Sequence, residues 1–359
     1  MVSRFVKFIT AMLVLVALSS VGLAKKKEDK KAMPPMPNQK IVFVRADPTL
    51  GISSMRSITD AESTGEISGS HDAGEYQSTA AANPKSSQIG IMNSDGSGAK
   101  MLKVYGVDPD VSPDGTKVVY CSERETLWAQ IYVVNADGTS PKRLTDIKSG
   151  DACGPEWSHD GKKIVFHAFG KMNPRHDPAI WVMDADGSNQ KKIMDSGLEP
   201  TWSPDDKQIA FASDRIGGTF QIYAMNADGA NVRRLTDHKG EDSSPSWAPD
   251  GAAIVYSSQA SGDRRGLFLM SVDGKEQHGV AHSKYQDFCF PAWSTDGKMI
   301  LFTALNRIGP QNIVMGDERP RCEMWSGEYQ LFAMDSDGQT YPVTDARVMA
   351  MHGTYGRAK

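Results

Sequence analysis

Short apolar runs, each bounded by a polar turn, recur along most of the chain. The phrase PDVSPDGTKVVY begins at Pro109, and the phrase PTWSPDDKQIAF begins at Pro200. Related phrases begin at Pro155, Pro245 and Pro291. Adjacent apolar residues, as in Ile-Val-Phe, indicate β-strands that are buried on both faces, and Asp-Gly indicates a tight turn between antiparallel strands. The pattern therefore predicts a repeated pair of strands joined by a tight turn.

This repeat has a period of 45 or 46 residues. Its turns lie at Asp114, Asp160, Asp205, Asp250 and Asp296. A second series of turns, such as NADG and DADG, alternates with the first, and its members end at Gly96, Gly138, Gly187, Gly229, Gly274 and Gly338. Two interleaved turn series define a unit of four strands, which we name a to d. In the unit that begins at Leu198 they are EPTWS, KQIAF, FQIYAMN and VRRLT. Such a unit predicts a propeller blade.

The first unit lacks a strand a, and the end of the chain supplies one. Strands b, c and d of this unit are KIVFV at 40–44, QIGIMN at 88–93 and KMLKV at 100–104. In the terminal sequence MAMHGTYGRAK, alignment of Tyr355-Gly356 with Asp-Gly places His352 where other blades have Trp. An open ring would leave a sheet edge unpaired. We therefore predict an all-β, six-bladed β-propeller closed by strands from both termini.

One tryptophan occupies the same position of strand a in four units: Trp157, Trp202, Trp247 and Trp293. A series of aromatic rings at equivalent positions could stack on carbohydrate. The favoured interpretation is structural, because one large ring in each blade can pack against the neighbouring blade.

The N-terminal segment has the pattern of a signal peptide. Arg4 and Lys7 precede an apolar run at 8–18, and small residues follow before Lys25. Residues 1–24 are therefore predicted to be a signal peptide, and the protein to be periplasmic or secreted. The alternative is an uncleaved membrane anchor, for which the apolar run is short.

The next segment, residues 25–39, is rich in Lys and then in Pro, which predicts a solvated linker before a propeller at 40–359. The alternative is contact between its lysines and an anionic membrane surface. The formal net charge of −4 becomes −6 when the two basic residues of the signal peptide are removed. Nothing in this balance indicates a nucleic-acid partner.

The turns between strands a and b and between strands c and d lie on one rim of a propeller, which we call the turn rim. The loops b–c and d–a lie on the other rim, which we call the variable rim because their lengths differ between blades. The longest b–c loops run from about Arg45 to Ser87 and from about Leu305 to Glu328. Variable loops on a rigid scaffold are where binding sites usually occur.

Four cysteines fall on the variable rim, and an exported chain permits two disulfides. Cys289 and Cys322 belong to blade 6. Cys121 ends strand b of blade 2, and Cys153 begins strand a of blade 3. We predict the pairs Cys289–Cys322 and Cys121–Cys153, with free thiols as the alternative.

Candidate ligand-binding residues also lie on the variable rim. They are Arg124, His167, His176, Arg215, His238, Asp242, Arg264, His282 and His352. The five histidines could form a metal site or supply a general base, or they could be scattered loop residues. We assign no catalytic residue and no metal ligand, because the chain has no Gly-x-Ser-x-Gly, His-Glu-x-x-His or phosphate-binding loop.

The phrases PxWSPDGKxIAF and IYVMNADGxxxRRLT, which recur over 40–359, resemble the TolB-like propeller repeat, also called the WD40-like or PD40 repeat. The resemblance implies a six-bladed propeller in the periplasm that binds partner proteins, as in the Tol–Pal system of the cell envelope. TolB proteins carry an α/β domain before the propeller, whereas only the linker precedes the first strand here. The resemblance therefore implies the propeller without that domain.

The repeat is also similar to that of oligogalacturonate lyases, which are metal-dependent enzymes. Their closely spaced C-terminal histidines correspond here to His352 alone. The favoured hypothesis is an exported, non-catalytic scaffold that binds an envelope protein or peptide at the variable rim and channel mouth, without a cofactor. The alternatives are a polysaccharide lyase, which would need a divalent metal, and a glycan-binding module.

Overall fold

The computed structural model describes residues 39–46, 87–126, 128–148, 150–169, 178–260, 262, 264–307, 327–344 and 349–355. These residues form twenty-four strands in six four-stranded antiparallel sheets and no helix. No membrane-spanning helix is found among them. The predicted six-bladed, all-β propeller is therefore confirmed.

The strands follow one another as blades. Blade 1 contains β1 (Lys40–Ala46), β2 (Ser87–Asn93) and β3 (Lys100–Tyr105). Blade 2 consists of β4 (Val107–Val111), β5 (Lys117–Ser122), β6 (Gln130–Asn135) and β7 (Lys142–Arg143). Blade 3 consists of β8 (Ala152–Trp157), β9 (Lys163–Ala168), β10 (Ala179–Asp184) and β11 (Lys191–Asp195). In each blade the order in the sheet is a, b, c, d.

The second half of the ring has the same order. Blade 4 consists of β12 (Leu198–Trp202), β13 (Gln208–Ser213), β14 (Gln221–Asn226) and β15 (Arg233–Arg234). Blade 5 consists of β16 (Asp242–Trp247), β17 (Ala253–Ser258), β18 (Gly266–Ser271) and β19 (His278–Ala281). Blade 6 consists of β20 (Gln286–Trp293), β21 (Met299–Arg307), β22 (Gly327–Asp335) and β23 (Thr340–Pro342), and β24 (Met349–Tyr355) follows it.

β24 returns to blade 1 and pairs with β1, so strands from both ends of the chain close the ring as predicted. The predicted position of His352 is wrong. Tyr355, and not His352, lies opposite Ile41, as Trp157 lies opposite Ile164 in blade 3. The alignment failed because it treated Tyr355 as a turn residue, whereas Tyr355 lies within β24 and pairs with β1.

Six apolar cores lie between the blades, one at each interface. Between blades 3 and 4, for example, Val165 and Ile180 pack with Trp202 and Phe211. The tryptophans of strand a belong to these cores, each facing the preceding blade. The structural interpretation of the tryptophan series is therefore confirmed. Strand b carries apolar residues on both faces because each face contacts a neighbouring blade.

The turn rim is built from self-contained hydrogen bonds. In blade 2, Asp114 Oδ1 accepts hydrogen bonds from Thr116 N at 3.0 Å and from Ser112 Oγ at 2.6 Å. Ser112 Oγ in turn accepts from Lys117 N at 2.9 Å. The same Asp-capped arrangement recurs in the a–b turns of blades 3, 4 and 6. The phrase Ser-x-Asp-Gly is thus explained by its own turn geometry.

Blade 4 has Asp206 where the other turns have Gly. This Asp has φ of 58°. Its carboxylate accepts hydrogen bonds from His159 N at 2.7 Å and from Asp160 N at 2.8 Å in blade 3. Three of the five a–b turns have Pro at the position of His159, which has no N–H to donate. At the remaining turn, Thr295 N donates to Gln39 Oε1 at 3.3 Å. In the two turns that have no Pro at this position, the backbone N–H therefore donates to a side chain from a neighbouring blade.

The two longest b–c loops lie outside the described residues, at 47–86 and 308–326. In blade 6 the strands are longer than the sequence suggested. β21 and β22 pair through Arg307 and Gly327, so the ladder extends past the predicted loop start at Leu305.

Removal of residues 347–359, which include all of β24, should abolish cooperative folding, because β1 would lose its partner and two interfaces would lose a wall. Differential scanning calorimetry should show no cooperative transition. A control truncation that removes only 357–359 leaves β24 intact and should melt as the full chain does. An unchanged transition in the longer truncation would show that the ring does not depend on this strand.

Candidate functional site

Every strand a has a bulge at its centre. In blade 3 it comprises Gly154 and Pro155, which interrupt the register with β9. The first bulge residue has a positive φ in five blades, at Asp108 (50°), Gly154 (59°), Glu199 (49°), Ser244 (50°) and Phe290 (52°). A positive φ costs a residue other than Gly about 1–3 kcal/mol, so the surrounding structure must maintain it. The following proline cannot donate to the ladder, which favours a bulge at this position.

These bulges surround a central cavity of about 150 Å³. Its wall contains the prolines that follow the bulge residues, at positions 109, 155, 200, 245 and 291. The volume is below the range of about 300–1,000 Å³ that is typical of small-molecule sites. By backbone register, His352 and Gly353 form the corresponding bulge of β24 in blade 1. The cavity is therefore lined by the same structural position of blades 2 to 6.

Carboxylates on the cavity wall bond to the backbone of the next blade. Asp110 Oδ2 accepts a hydrogen bond from Trp157 N at 2.8 Å, and Glu156 Oε1 accepts one from Trp202 N at 3.1 Å. Glu199 Oε2 accepts from Ser244 N at 2.6 Å. Hydrogen bonds to charged acceptors are stronger than neutral ones. These acidic side chains therefore connect blades 2 to 5 around the cavity as well as giving it a negative wall.

His167 reaches the cavity because Gly154 has no side chain. A Cβ at Gly154 would lie 2.6 Å from His167 Nδ1. Gly154 N also donates to Asp108 Oδ2 at 3.1 Å. The His167 ring is buried and packs edge-on against Phe169, with ring centroids 5.5 Å apart. Other residues adopt the same positive φ in four other blades, so it is the neighbouring His167 ring that requires Gly at position 154.

A disulfide adjoins this position. Cys121 and Cys153 form the bond predicted for this pair, which links strand b of blade 2 to strand a of blade 3. Cys153 directly precedes the bulge residue Gly154. Cys289, which directly precedes the bulge residue Phe290, is also disulfide-bonded, and its predicted partner Cys322 lies outside the described residues.

His238 and Asp242 are brought together between blades 4 and 5. His238 Nε2 lies 2.9 Å from Asp242 Oδ2, and Asp242 is fully buried. The carboxylate raises the pKa of His238 above its usual value, and burial of the ring opposes this effect. Ser258 Oγ lies 3.5 Å from the same Nε2. Because one nitrogen faces both partners, the three side chains do not form a Ser-His-Asp relay.

Arg264 belongs to a separate ionic group at the next junction. Its Nη1 lies 3.3 Å from Asp287 Oδ2. The neighbouring Arg265 is buried, and its guanidinium contacts Glu241 Oε2 at 3.2 Å and Ser243 Oγ at 3.1 Å. This group connects the b–c loop of blade 5 to strands a of blades 5 and 6.

Two other predicted arginines have local contacts. Arg215 donates to Asp195 O at 2.6 Å and lies over the rings of Phe211 and Tyr223, 5.5 Å from each centroid. Its contacts are those of a packed structural residue. Arg124 is half-exposed and lies near Tyr120, whose pKa is raised to about 12 by burial despite the opposing charge of this arginine.

The predicted rim residues therefore do not form a single cluster within the described part of the chain. His282 is exposed, and His176 lies outside the described residues. Across the described ranges, the sole group of three candidate ligand atoms within 4.8 Å is Asp108 with the two cysteines, and these cysteines are bonded to each other. Sequence reasoning missed the ring of bulge residues, although the recurring residue-Pro pair of strand a was a signal for it.

Comparison with known proteins agrees with this architecture. Residues 171–315 match the family model of the TolB beta propeller domain. TolB from Acinetobacter baumannii superposes with a TM-score of 0.64 at 21% identity, over 89% of this chain and 66% of that one. A putative TolB from Agrobacterium tumefaciens superposes with a TM-score of 0.58 at 22% identity, over 76% of this chain and 91% of that one. These structures share the fold of this chain, and residues 171–315 are similar to the TolB beta propeller domain.

An uncharacterized protein of Agrobacterium fabrum is 36% identical over 113 residues, which are 29% of this chain and 38% of that protein. The chain spans between 14% and 38% of the length of this protein and two other curated relatives that it matches.

Substitution of Gly154 by Ala should destabilise the propeller more than Gly115→Ala does. Both glycines have positive φ, 59° and 71°, but a Cβ at Gly115 meets nothing within 4 Å. We expect a loss of about 1–2 kcal/mol for Gly115→Ala, and a further ~1–3 kcal/mol for Gly154→Ala from the clash with His167. Urea unfolding measures both. Equal losses would show that the imidazole does not restrict this position.

Replacement of both Cys121 and Cys153 by Ala should lower the free energy of unfolding by about 2–4 kcal/mol, because the unfolded chain loses a cross-link over 32 residues. Alanine is used because the site is apolar. Guanidinium unfolding without reductant measures the loss, and non-reducing peptide mapping of the wild type identifies the bond. A map that pairs Cys121 with a different cysteine would contradict the structure.

Proposed function

We propose that the chain is an exported, non-catalytic TolB-like propeller that binds a protein or peptide of the cell envelope on its variable rim, around the mouth of the central cavity. The observation that carries this proposal is the contrast between the two rims. On the turn rim, each Asp caps its own turn, and the few remaining amides bond to neighbouring blades. The variable rim has irregular loops, exposed apolar residues and ionic groups.

Exposed apolar side chains favour protein contact on the variable rim. Tyr285 in the d–a loop before blade 6 is 79% exposed, and Ile216 in the b–c loop of blade 4 is 55% exposed. Aromatic residues and arginines are both enriched in protein interfaces, and Arg264 lies on the same rim as Tyr285. Val232 is the third large exposed apolar residue among those described. It lies near a c–d turn and is less exposed than the other two, at 37%.

Binding is favoured over catalysis because the polar groups described on this rim bond chiefly to one another. Asp242 is paired with His238, and Arg265 with Glu241 and Ser243. The disulfide between Cys121 and Cys153 supports export, because such bonds persist in oxidising compartments. The structural relatives include TolB from Acinetobacter baumannii, and the envelope role of this chain is part of the proposal.

Site-specific photo-crosslinking tests the proposal. The residue p-benzoylphenylalanine is placed at Tyr285 or Ile216 on the variable rim, and at Lys162 or Lys298 on the turn rim as a matched control. Both lysine side chains are 79% exposed. In envelope extract of the source cell, we expect discrete cross-linked products from the variable-rim positions alone.

Equal or absent cross-linking at both rims would contradict the proposed binding face. The same purified protein is analysed for bound metals and for unsaturated uronate release from pectic substrates. Bound divalent metal together with product would replace the scaffold proposal with the lyase alternative.

A further inference from the structure

The segment between β15 and β16 is held by one histidine that contacts two groups through opposite sides of its ring. Gly240 N lies 3.1 Å from His238 Nδ1 and donates a hydrogen bond to it. His238 Nε2 lies 2.9 Å from the buried carboxylate of Asp242. The imidazole therefore connects the variable-rim loop to strand a of blade 5.

These two contacts respond to a proton in opposite ways. The amide of Gly240 can donate only to an Nδ1 that carries no hydrogen, so the described contact requires the neutral ring with its hydrogen on Nε2. A second proton would be added at Nδ1, where two N–H groups would then face each other. The same proton strengthens the contact with Asp242, because a buried carboxylate is costly unless it is paired with a positive charge. Protonation of His238 thus breaks its contact with the Gly240 amide and strengthens its contact with Asp242.

We propose that His238 is a pH switch on the variable rim, which holds the Gly240 amide when its ring is neutral and releases it when the ring is protonated and paired with Asp242.

The released segment would move a second loop. Gly240 O accepts a hydrogen bond from Gln221 Nε2 at 2.7 Å. A Cβ at Gly240 would lie 2.7 Å from the backbone of Gln259, so the two backbones are in contact. Gln259 N also donates to Glu241 O at 3.0 Å. Displacement of Gly240 therefore reaches the b–c loop of blade 5, which carries Arg264 and Arg265.

The charged, titratable and polar groups around His238 come from β15, the following loop, β16 and β17. Arg234 of β15 is paired with Asp237 at 2.8 Å, Lys239 lies in the loop itself, and Glu241 and Asp242 precede or begin β16. From β17 come Ser258 and Tyr256, whose pKa is raised by burial and by the Asp242 charge.

The sign of the pH effect follows from these contacts. Asp242 raises the pKa of His238 above its usual value of about 6.5, against the opposing effect of burial. The ion pair therefore stabilises the fold below about pH 6.5, and this contribution is lost as pH rises through the higher folded-state value. Release of Gly240 occurs over the same interval, in the direction of falling pH.

The junction of blades 2 and 3 shows that the fold does not need this pair. Ile147 there has the backbone contacts of His238, since its N and O bond to the side chain of Gln130 as those of His238 bond to Gln221. Ala152 corresponds to Asp242, and both Ile147 and Ala152 belong to the apolar core of that interface. The ionic pair therefore replaces an apolar pair at an equivalent position.

Amide NMR of the full chain tests the switch. Lys239-Gly240 is the sole Lys-Gly dipeptide in the sequence, so labelling Lys with ¹³C at the carbonyl and Gly with ¹⁵N selects one amide signal. Histidine labelled with ¹³C reports the ring, and its signal is assigned by loss in His238→Gln. Between about pH 5 and about pH 8, the Gly240 amide and the His238 ring should titrate with one midpoint.

Two variants complete the test. In Asp242→Asn the shared midpoint should fall by about one pH unit or more, because the opposite charge is removed. The double variant His238→Ile with Asp242→Ala copies the junction of blades 2 and 3, and its Gly240 signal should not titrate while its other glycine signals are retained.

A Gly240 amide that stays constant while His238 titrates would overturn the switch. So would an unchanged His238 midpoint in Asp242→Asn. If Asp242→Asn does not fold, the decision rests on the wild type and the double variant, and a Gly240 titration that persists in the double variant overturns the proposal. None of these readouts depends on a binding partner, so the switch and the proposed function fail separately.

Discussion

Contact between the apolar faces of neighbouring sheets is the interaction on which the structure depends. A single blade cannot bury both faces of its strand b, and only a closed ring gives every face a partner. The pairing of β1 with β24 completes that ring. The tryptophans, the bulges and the inter-blade hydrogen bonds all hold positions that are defined by this circular contact.

The architecture was readable from the sequence because each blade repeats the same local chemistry. Ser112, Asp114 and their counterparts encode the a–b turns, and adjacent apolar residues encode strands buried on both faces. The number of blades and the closure of the ring by both termini followed from counting the strands of each repeat unit. His352 was misplaced by three residues because Tyr355, which was aligned with the Asp of the turns, is itself a residue of strand a.

The candidate site was less readable because it depends on backbone conformation and on which loops meet. A positive φ is usually indicated by Gly or Asn, and nothing in Phe290 or Glu199 indicates it. The approach of His238 to Asp242 depends on a loop that is one residue shorter than its counterpart between blades 2 and 3. Residue type alone suggested a possible cluster of rim histidines. Among the described residues, the one group of three candidate ligand atoms contains no histidine.

The wide separation in sequence between β1 and its partner β24 has a consequence for biosynthesis. All other strands exist before β24 emerges from the ribosome, yet the ring cannot close without it. The ring therefore stays open until this seven-residue strand has been synthesised, and folding of the closed propeller is delayed relative to synthesis of the other blades.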